Sequence, residues 1–239
     1  MDDRKAYEFH RHPDNLNTYN YLGQFIYGGI DGGVTTFAVI AGAVGAGFDV
    51  EVIIILGIAN LIADGFSMSI GSYLSAKSER ERHEKYRRLE LWGVNNIPES
   101  EREEIREIYR AKGIDGELLE NVVQAITANK ETWVNVMMKD EHNLTIGKES
   151  PQKKALVTYL SFLFIGSIPL ISFLMGIDIE LAFLISCLLT ASSFTVIGFL
   201  KAYVNHTSKI RGIMETLLLG TAAATLAYFA GSFLEKMIT

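Results

Sequence analysis

Five apolar stretches dominate the hydropathy pattern of the chain, at about 22–47, 51–76, 155–175, 179–200 and 212–234. Each is long enough to meet the ~20 residues that a helix needs to cross the hydrocarbon core of a bilayer. Lipid offers a backbone no partner but itself, so each stretch is expected to be helical. Polar residues 1–21 precede the first two spans (22–76), and a polar segment, 77–152, separates these from the last three, within 153–239. The pattern predicts an all-α, five-span integral membrane protein with a helical module inserted between spans 2 and 3. The first twenty residues carry Asp2, Asp3, Arg4, Lys5, Glu8, Arg11 and Asp14 rather than an apolar signal core, so the first run is expected to persist as a span.

The inserted segment has its own pattern. From Lys77 to Glu90 the chain holds strong helix formers with acids and bases three and four apart and neither Gly nor Pro, which predicts that the second helix continues as a stalk. Gly93 and Asn95-Asn96 are expected to stop it. Pro98-Glu99-Ser100 starts a helix to Lys112 with Gly113 as its cap, and Asp115 caps the next. That one carries Leu118, Leu119, Val122, Val123 and Ile126 on one face. Asn129-Lys130 opens another, with Trp133, Val134 and Met137. The apolar stripes read as core, with no permanently bound cofactor.

Composition agrees with a membrane protein bearing a charged insert: 49% of residues are hydrophobic, yet 21% are charged. Cys187 is the only cysteine, which excludes a disulfide or a thiolate metal cluster. A net charge of −6 gives no basic footprint for nucleic acid. The short loops Gly47-Phe48-Asp49 and Gly176-Ile177-Asp178 lack Lys and Arg. The opposite side holds Arg4, Lys5, Arg11, Lys77, Arg80, Arg82, Lys153, Lys154, Lys201, Lys209 and Arg211. The positive-inside rule puts the N-terminus and residues 77–152 in the cytoplasm and the C-terminus across the membrane. The short N-terminus without a targeting peptide suggests a prokaryotic plasma membrane.

Candidate chemistry starts with Asp31 and Asp64, which lie inside the first two apolar runs. A carboxylate at that depth costs at least ~2.5–3.5 kcal/mol on insertion scales and usually faces a partner or a watery path. Counting helical rise from the cytoplasmic ends places Asp31 level with Met68, and Thr35 level with Asp64. Asn60, Asp64 and Met68 are spaced i, i+4, i+8 on one face. Carboxylates with a thioether suit a borderline divalent metal such as Fe2+. In the insert, Glu104 and Glu107 are i, i+3 and Met137 and Glu141 are i, i+4, a second acidic and thioether constellation. No Glu-x-x-His occurs for a ferritin-like di-iron enzyme, and no P-loop for nucleotide hydrolysis. Gly28/Gly32 and Ala38/Gly42/Ala46 form small-residue rows that fit either a contact between two copies of the chain or packing within one bundle.

Three segments resemble the vacuolar iron transporter (VIT) family. Asp31-Gly32-Gly33-Val34-Thr35-Thr36-Phe37-Ala38 is similar to its first helix, and Asn60-Leu61-Ile62-Ala63-Asp64-Gly65-Phe66-Ser67-Met68 to its second. Met137-Met138-Lys139-Asp140-Glu141 resembles the end of its cytoplasmic metal-binding domain. The resemblance, over about 22–235, implies a five-span homodimer that exchanges Fe2+ or Mn2+ for protons, with the path between the two copies. It implies that Asp31 is the transport carboxylate and Met68 the pathway methionine. Glu104, Glu107, Met137 and Glu141 become cytoplasmic metal ligands, and Glu90 a ligand at the end of the stalk. The chain departs from the pattern twice: a second stalk glutamate is replaced by Gly93, and a second-helix glutamate by Asn60, with Asp64 one turn later. The expected function is export of cytosolic Fe2+ or Mn2+ against protons, with no enzymatic reaction. The alternative is a membrane-anchored metal sensor or scaffold whose acidic module regulates a partner.

Overall fold

The computed structural model describes residues 16–145 and 149–238. The basic residues Arg4, Lys5 and Arg11 of the expected cytoplasmic N-terminus lie outside this set. Among the described residues there are helices and no strand. They are α1 (Leu16–Gly45), α2 (Val50–Asn96), α3 (Pro98–Ala111), α4 (Gly116–Thr127), α5 (Lys130–Asp140), α6 (Pro151–Ser167), α7 (Ile179–Val204) and α8 (Lys209–Ile238). A tighter 3₁₀ segment, Ile168–Met175, extends α6. Among the described residues, five helices are long and apolar enough to span a bilayer, with mean hydropathy from 1.3 to 2.0. The chain divides into two compact units, 1–74 with 149–239, and 75–148.

In the first unit, α1 packs against α6 and α8, and α7 packs on α8. The small residues of α1 are what permit this. A Cβ on Gly32 would stand 2.5 Å from the Phe162 carbonyl oxygen, and one on Gly28 2.6 Å from that of Thr158, both on α6. Farther along, Gly42 faces Ala227 of α8, its would-be Cβ 3.3 Å from the carbonyl oxygen. The small-residue rows therefore serve packing inside one chain. Ile40, Ile53, Leu61, Phe162, Leu170 and Phe173 belong to the largest buried cluster of this unit, joining α1, α2 and α6 with its extension. Ser69 of α2 donates to the Ala155 carbonyl at 2.9 Å. The α1–α2 and α6–α7 turns place Gly47 and Gly176 at φ of 68° and 67°, a conformation that glycine adopts without steric cost.

α2 runs unbroken for 47 residues. Lys77–Glu81 and Arg80–Glu84 pair along it at 3.7 and 3.1 Å. Such exposed pairs give only ~0.3–0.5 kcal/mol each, so the continuous run of helix formers matters more. Gly93 does not end the helix, which reaches Asn96. What ends it is Pro98, whose ring disfavours the helical conformation of the preceding residue; Ile97 accordingly adopts φ −134°, ψ 51°.

The second unit closes around Val94, Ile105, Leu119, Val123, Ile126, Trp133, Val134, Met137 and Met138. Arg106 ties α3 to α4, bonding Glu120 at 2.9 Å and Glu103 at 2.9 Å. Asn129 caps α5 by accepting from the Glu131 and Thr132 amides. Asp115 occupies the N-cap position of α4 without a capping bond from its side chain, and pairs instead with Arg110 at 3.9 Å.

A β-branched side chain at position 32 has no room against the α6 backbone. Gly32→Val should therefore give protein that aggregates or melts at least several degrees lower in detergent. Thermal unfolding monitored by size-exclusion chromatography checks this; an unchanged melting profile would contradict the α1–α6 contact.

Candidate functional site

The membrane-embedded candidates divide between α1 and α2. Asp31 and Thr35 are both half-buried on α1. The Thr35 hydroxyl donates to the Asp31 main-chain carbonyl at 2.8 Å, which leaves its lone pairs free as acceptors. On α2, Asn60 and Met68 are half-buried and Asp64 is exposed. The three form a row at the edge of the stripe Ile53, Gly57, Leu61, Gly65 that α2 buries. Asp31 and Asp64 are close enough for their charges to act on each other. Met68 packs against the Phe162 cluster. The Asn60 amide nitrogen is buried with no partner, a state that costs ~1–3 kcal/mol until something accepts from it.

The second unit gathers a tighter group. Glu90 near the end of α2 and Glu101 in the first turn of α3 are each 7% exposed, and each keeps one carboxylate oxygen buried without a hydrogen-bond partner. Glu141 follows α5, and His142 comes next. The His142 Nε2 lies 2.7 Å from Glu90 Oε1 and its Nδ1 lies 3.9 Å from Glu141 Oε1. One ligand atom from each of Glu90, Glu141 and His142 can be chosen so that all lie within 4.8 Å of one another. Burial, reinforced by the charges of Glu90, Glu104 and Glu141, pushes the Glu101 carboxyl up to about 7. Burial likewise raises Glu104, with Glu90 and Glu107 adding to it. Glu141 is raised by burial despite the opposing pull of His142. Carboxylates with elevated proton affinity, facing one another in partial burial, form an arrangement that a divalent cation would relieve.

Several expected ligands stand apart. Glu107 is exposed, and its charge bears on Glu104. Met137 is fully buried within the apolar core of the unit, where it packs as a hydrophobe. Glu101 and His142 were not anticipated from sequence. Both Glu101/Glu104 and Glu104/Glu107 are i, i+3, so spacing alone does not choose between them. The deciding signal was available in the apolar pattern: Glu101 is one turn before Ile105, which is fully buried. Gly93 also changes meaning, because a Cβ there would overlap the Glu101 carboxylate. The position that lacks the expected stalk glutamate is the space that Glu101 fills. His142 lies beyond the last helical residue, Asp140, where helical periodicity places nothing.

A sequence profile of the VIT family matches residues 22–232. The vacuolar iron transporter of Toxoplasma gondii is 31% identical over 239 residues, covering 96% of this chain and 79% of that protein. That of Plasmodium falciparum is 29% identical, covering 99% and 92%. The vacuolar iron transporter 1 of Arabidopsis thaliana is 29% identical, covering 85% and 82%. The chain belongs to the VIT family, and it is an integral membrane protein. These relatives are named as transporters rather than enzymes, and all three are eukaryotic, so nothing in them supports the expected prokaryotic plasma membrane.

The elevated Glu101 carboxyl links the cluster to stability. The folded state holds this proton more tightly than the unfolded chain does. Glu101 therefore costs nothing well below pH 4.5 and subtracts stability as pH rises from there through about 7. Glu101→Gln removes that penalty while removing a ligand. At pH 8 the metal-free variant should melt on the order of 2–4 °C above the native protein, the gap closing at pH 5. Its affinity for a divalent cation should fall about tenfold. Melting curves at both pH values with and without Mn2+ test this, and a gap that does not depend on pH would contradict it.

Proposed function

We propose that this VIT-family chain is a divalent-metal transporter that carries Fe2+ or Mn2+ out of the cytosol in exchange for protons, and that it works as a homodimer. The observation that carries the reading is the pair of opposed carboxylates on two spans, Asp31 and Asp64, within reach of each other's charge. Two negative charges in lipid repel each other. A divalent cation between them removes both the repulsion and the desolvation cost, and so do protons. Metal and protons thus compete for one place. A membrane site that accepts either, opening in turn to each side, converts a proton gradient into metal movement.

The dimer follows from the same cost. Asp64 is exposed on α2 among Ile58, Ile62, Phe66 and Ile70, themselves exposed at 41–59%. It lies thirteen residues from Lys77, about 20 Å along the helix. Left against lipid, it would bear the full penalty of a buried charge. A second copy covering this face would enclose it and bring a second Asp31 and Asp64 to the path. The carboxylates of the second unit fit a capture site for the same ion on the cytoplasmic side, and the names of the relatives suggest a vacuolar membrane. If the module only sensed metal for a partner protein, the purified chain would carry no flux.

Proteoliposomes holding the purified protein should take up Fe2+ and Mn2+ when a pH gradient is imposed, and should acidify or alkalinise in step with the metal. Asp31→Asn keeps the shape of the side chain but not its charge. It should abolish flux, by at least ~100-fold, without changing the oligomeric state in detergent. Wild-type rates in that variant would sink the central claim.

The thioether yields a sharper expectation. Met68→Leu keeps volume and packing against the Phe162 cluster at a cost below ~1.5 kcal/mol, while removing the sulfur lone pairs. Manganese depends less on soft donors than iron does. Flux of Fe2+ should therefore drop several-fold more than flux of Mn2+ in the same anaerobic vesicles. An equal loss would show that Met68 shapes the path without binding the ion.

A further inference from the structure

His142 is the one member of the cytoplasmic cluster that is not an acid, and its surroundings constrain it unusually well. The Tyr86 ring lies over it, centroids 4.6 Å apart and tilted by 50°. Its two nitrogens address different carboxylates. At 2.7 Å, Nε2 is within hydrogen-bond distance of Glu90 Oε1. At 3.9 Å, Nδ1 is too far from Glu141 Oε1 for a hydrogen bond. An ion ~2.1 Å from each would fit between Nδ1 and Glu141 after a small inward shift. The second Glu90 oxygen, on a side chain nine-tenths buried, has no partner.

We propose that His142 is a metal ligand through Nδ1, with Nε2–H held on Glu90, and that this nitrogen biases the cytoplasmic site toward ions that accept imidazole, such as Fe2+, Co2+ and Zn2+, over Mn2+. The inference rests on the reading of that cluster as the capture site for the transported ion. A ligating imidazole ordinarily donates its other N–H to a carboxylate, which fixes the tautomer and raises the basicity of the ligand nitrogen; Glu90 stands in that place. A ring clamped by Tyr86 enters the site with little orientational freedom left to lose. The imidazole also supplies a donor where Gly93 supplies none. An all-oxygen set of carboxylates distinguishes poorly among divalent ions, whereas a nitrogen donor follows the order in which Mn2+ binds weakest of the first-row series.

The test uses full-length protein in detergent. Loaded with less than one equivalent of Mn2+, native protein should show 14N modulation in pulsed EPR, and His142→Gln should lose it. The ratio of Co2+ to Mn2+ affinity should fall about tenfold in that variant. His142→Cys, which replaces nitrogen with a soft donor, should restore the Co2+ preference without the 14N signal. Native protein without 14N coupling, coupling that survives in His142→Gln, or equal losses for both ions would overturn the assignment. Equal losses are what a residue that merely seats Glu90 would give. Proteoliposome flux of the native protein is measured in parallel. Flux that persists while the His142 results fail removes this inference alone; native protein that neither binds nor moves metal removes the transport reading with it.

Discussion

Carboxylates held together without a matching cation are the constraint to which the rest of this molecule answers. In the second unit the peripheral acids are matched: Glu103 and Glu120 by Arg106, Asp140 by Lys112, Glu131 by Arg87. The inner ones are not. Among the described residues no Lys or Arg pairs with Glu90, Glu101, Glu104 or Glu141, although the unit has bases to spare on its surface. Burying unpaired charge is expensive, and a cation from outside would relieve that cost. The membrane unit repeats the arrangement with fewer groups, Asp31 and Asp64 lying within reach of each other's charge.

Rigid helices make the arrangement possible. Repelling side chains drift apart unless their backbones are fixed, and helices fix them, with Asp31 on α1, Asp64 and Glu90 on α2, and Glu101 and Glu104 on α3. In the membrane unit, glycines on α1 bring its backbone onto that of α6, setting the position of Asp31 by contacts that no side chain could loosen. In the second unit Glu101 is pressed inward because Ile105, one turn on, is fully buried. Gly93 accepts it because nothing projects there. The apolar packing does not bind metal, but it decides which acids are near one another.

Most of the fold was legible in the sequence because its causes are local. Span length and helix propensity operate within single segments, and the five spans and the short helices of the insert follow from them. The membrane row Asn60, Asp64, Met68 was equally legible, since one helix carries it. The candidate cluster of the second unit was only half so. Glu90 and Glu104 lie on two different helices and Glu141 just past a third; spacing singled out Glu104 and Glu141, and only the resemblance to a family added Glu90. Glu104 stands i, i+3 from Glu101 as well as from Glu107, and the burial that sets Glu101 apart arises from the packing of α3 on its neighbours. His142 sits past a helix end, in a position that depends on Tyr86 and Glu90. Met137, which a place near acids suggested as a ligand, has its side chain packed in the core of the unit.

The two clusters differ in a way that suits successive tasks. A site that collects an ion at low free concentration gains from many donors and much unneutralised charge. A site in a transport path must also release its ion, and each further anionic ligand slows that release. The second unit assembles four acids and an imidazole, whereas the span pair offers two acids with neutral donors, Asn60, Thr35 and Met68, beside them. Protonation sharpens the contrast. With Glu101 raised to about 7, its carboxyl holds a proton part of the time at neutral pH, so a cation bound there would have to displace it. Metal binding at such a cluster would be proton-linked, because its ligands must lose protons to bind. A fall in pH would weaken any such binding at Glu101, where burial is the largest cause of the raised affinity for the proton and the charges of Glu90, Glu104 and Glu141 add to it.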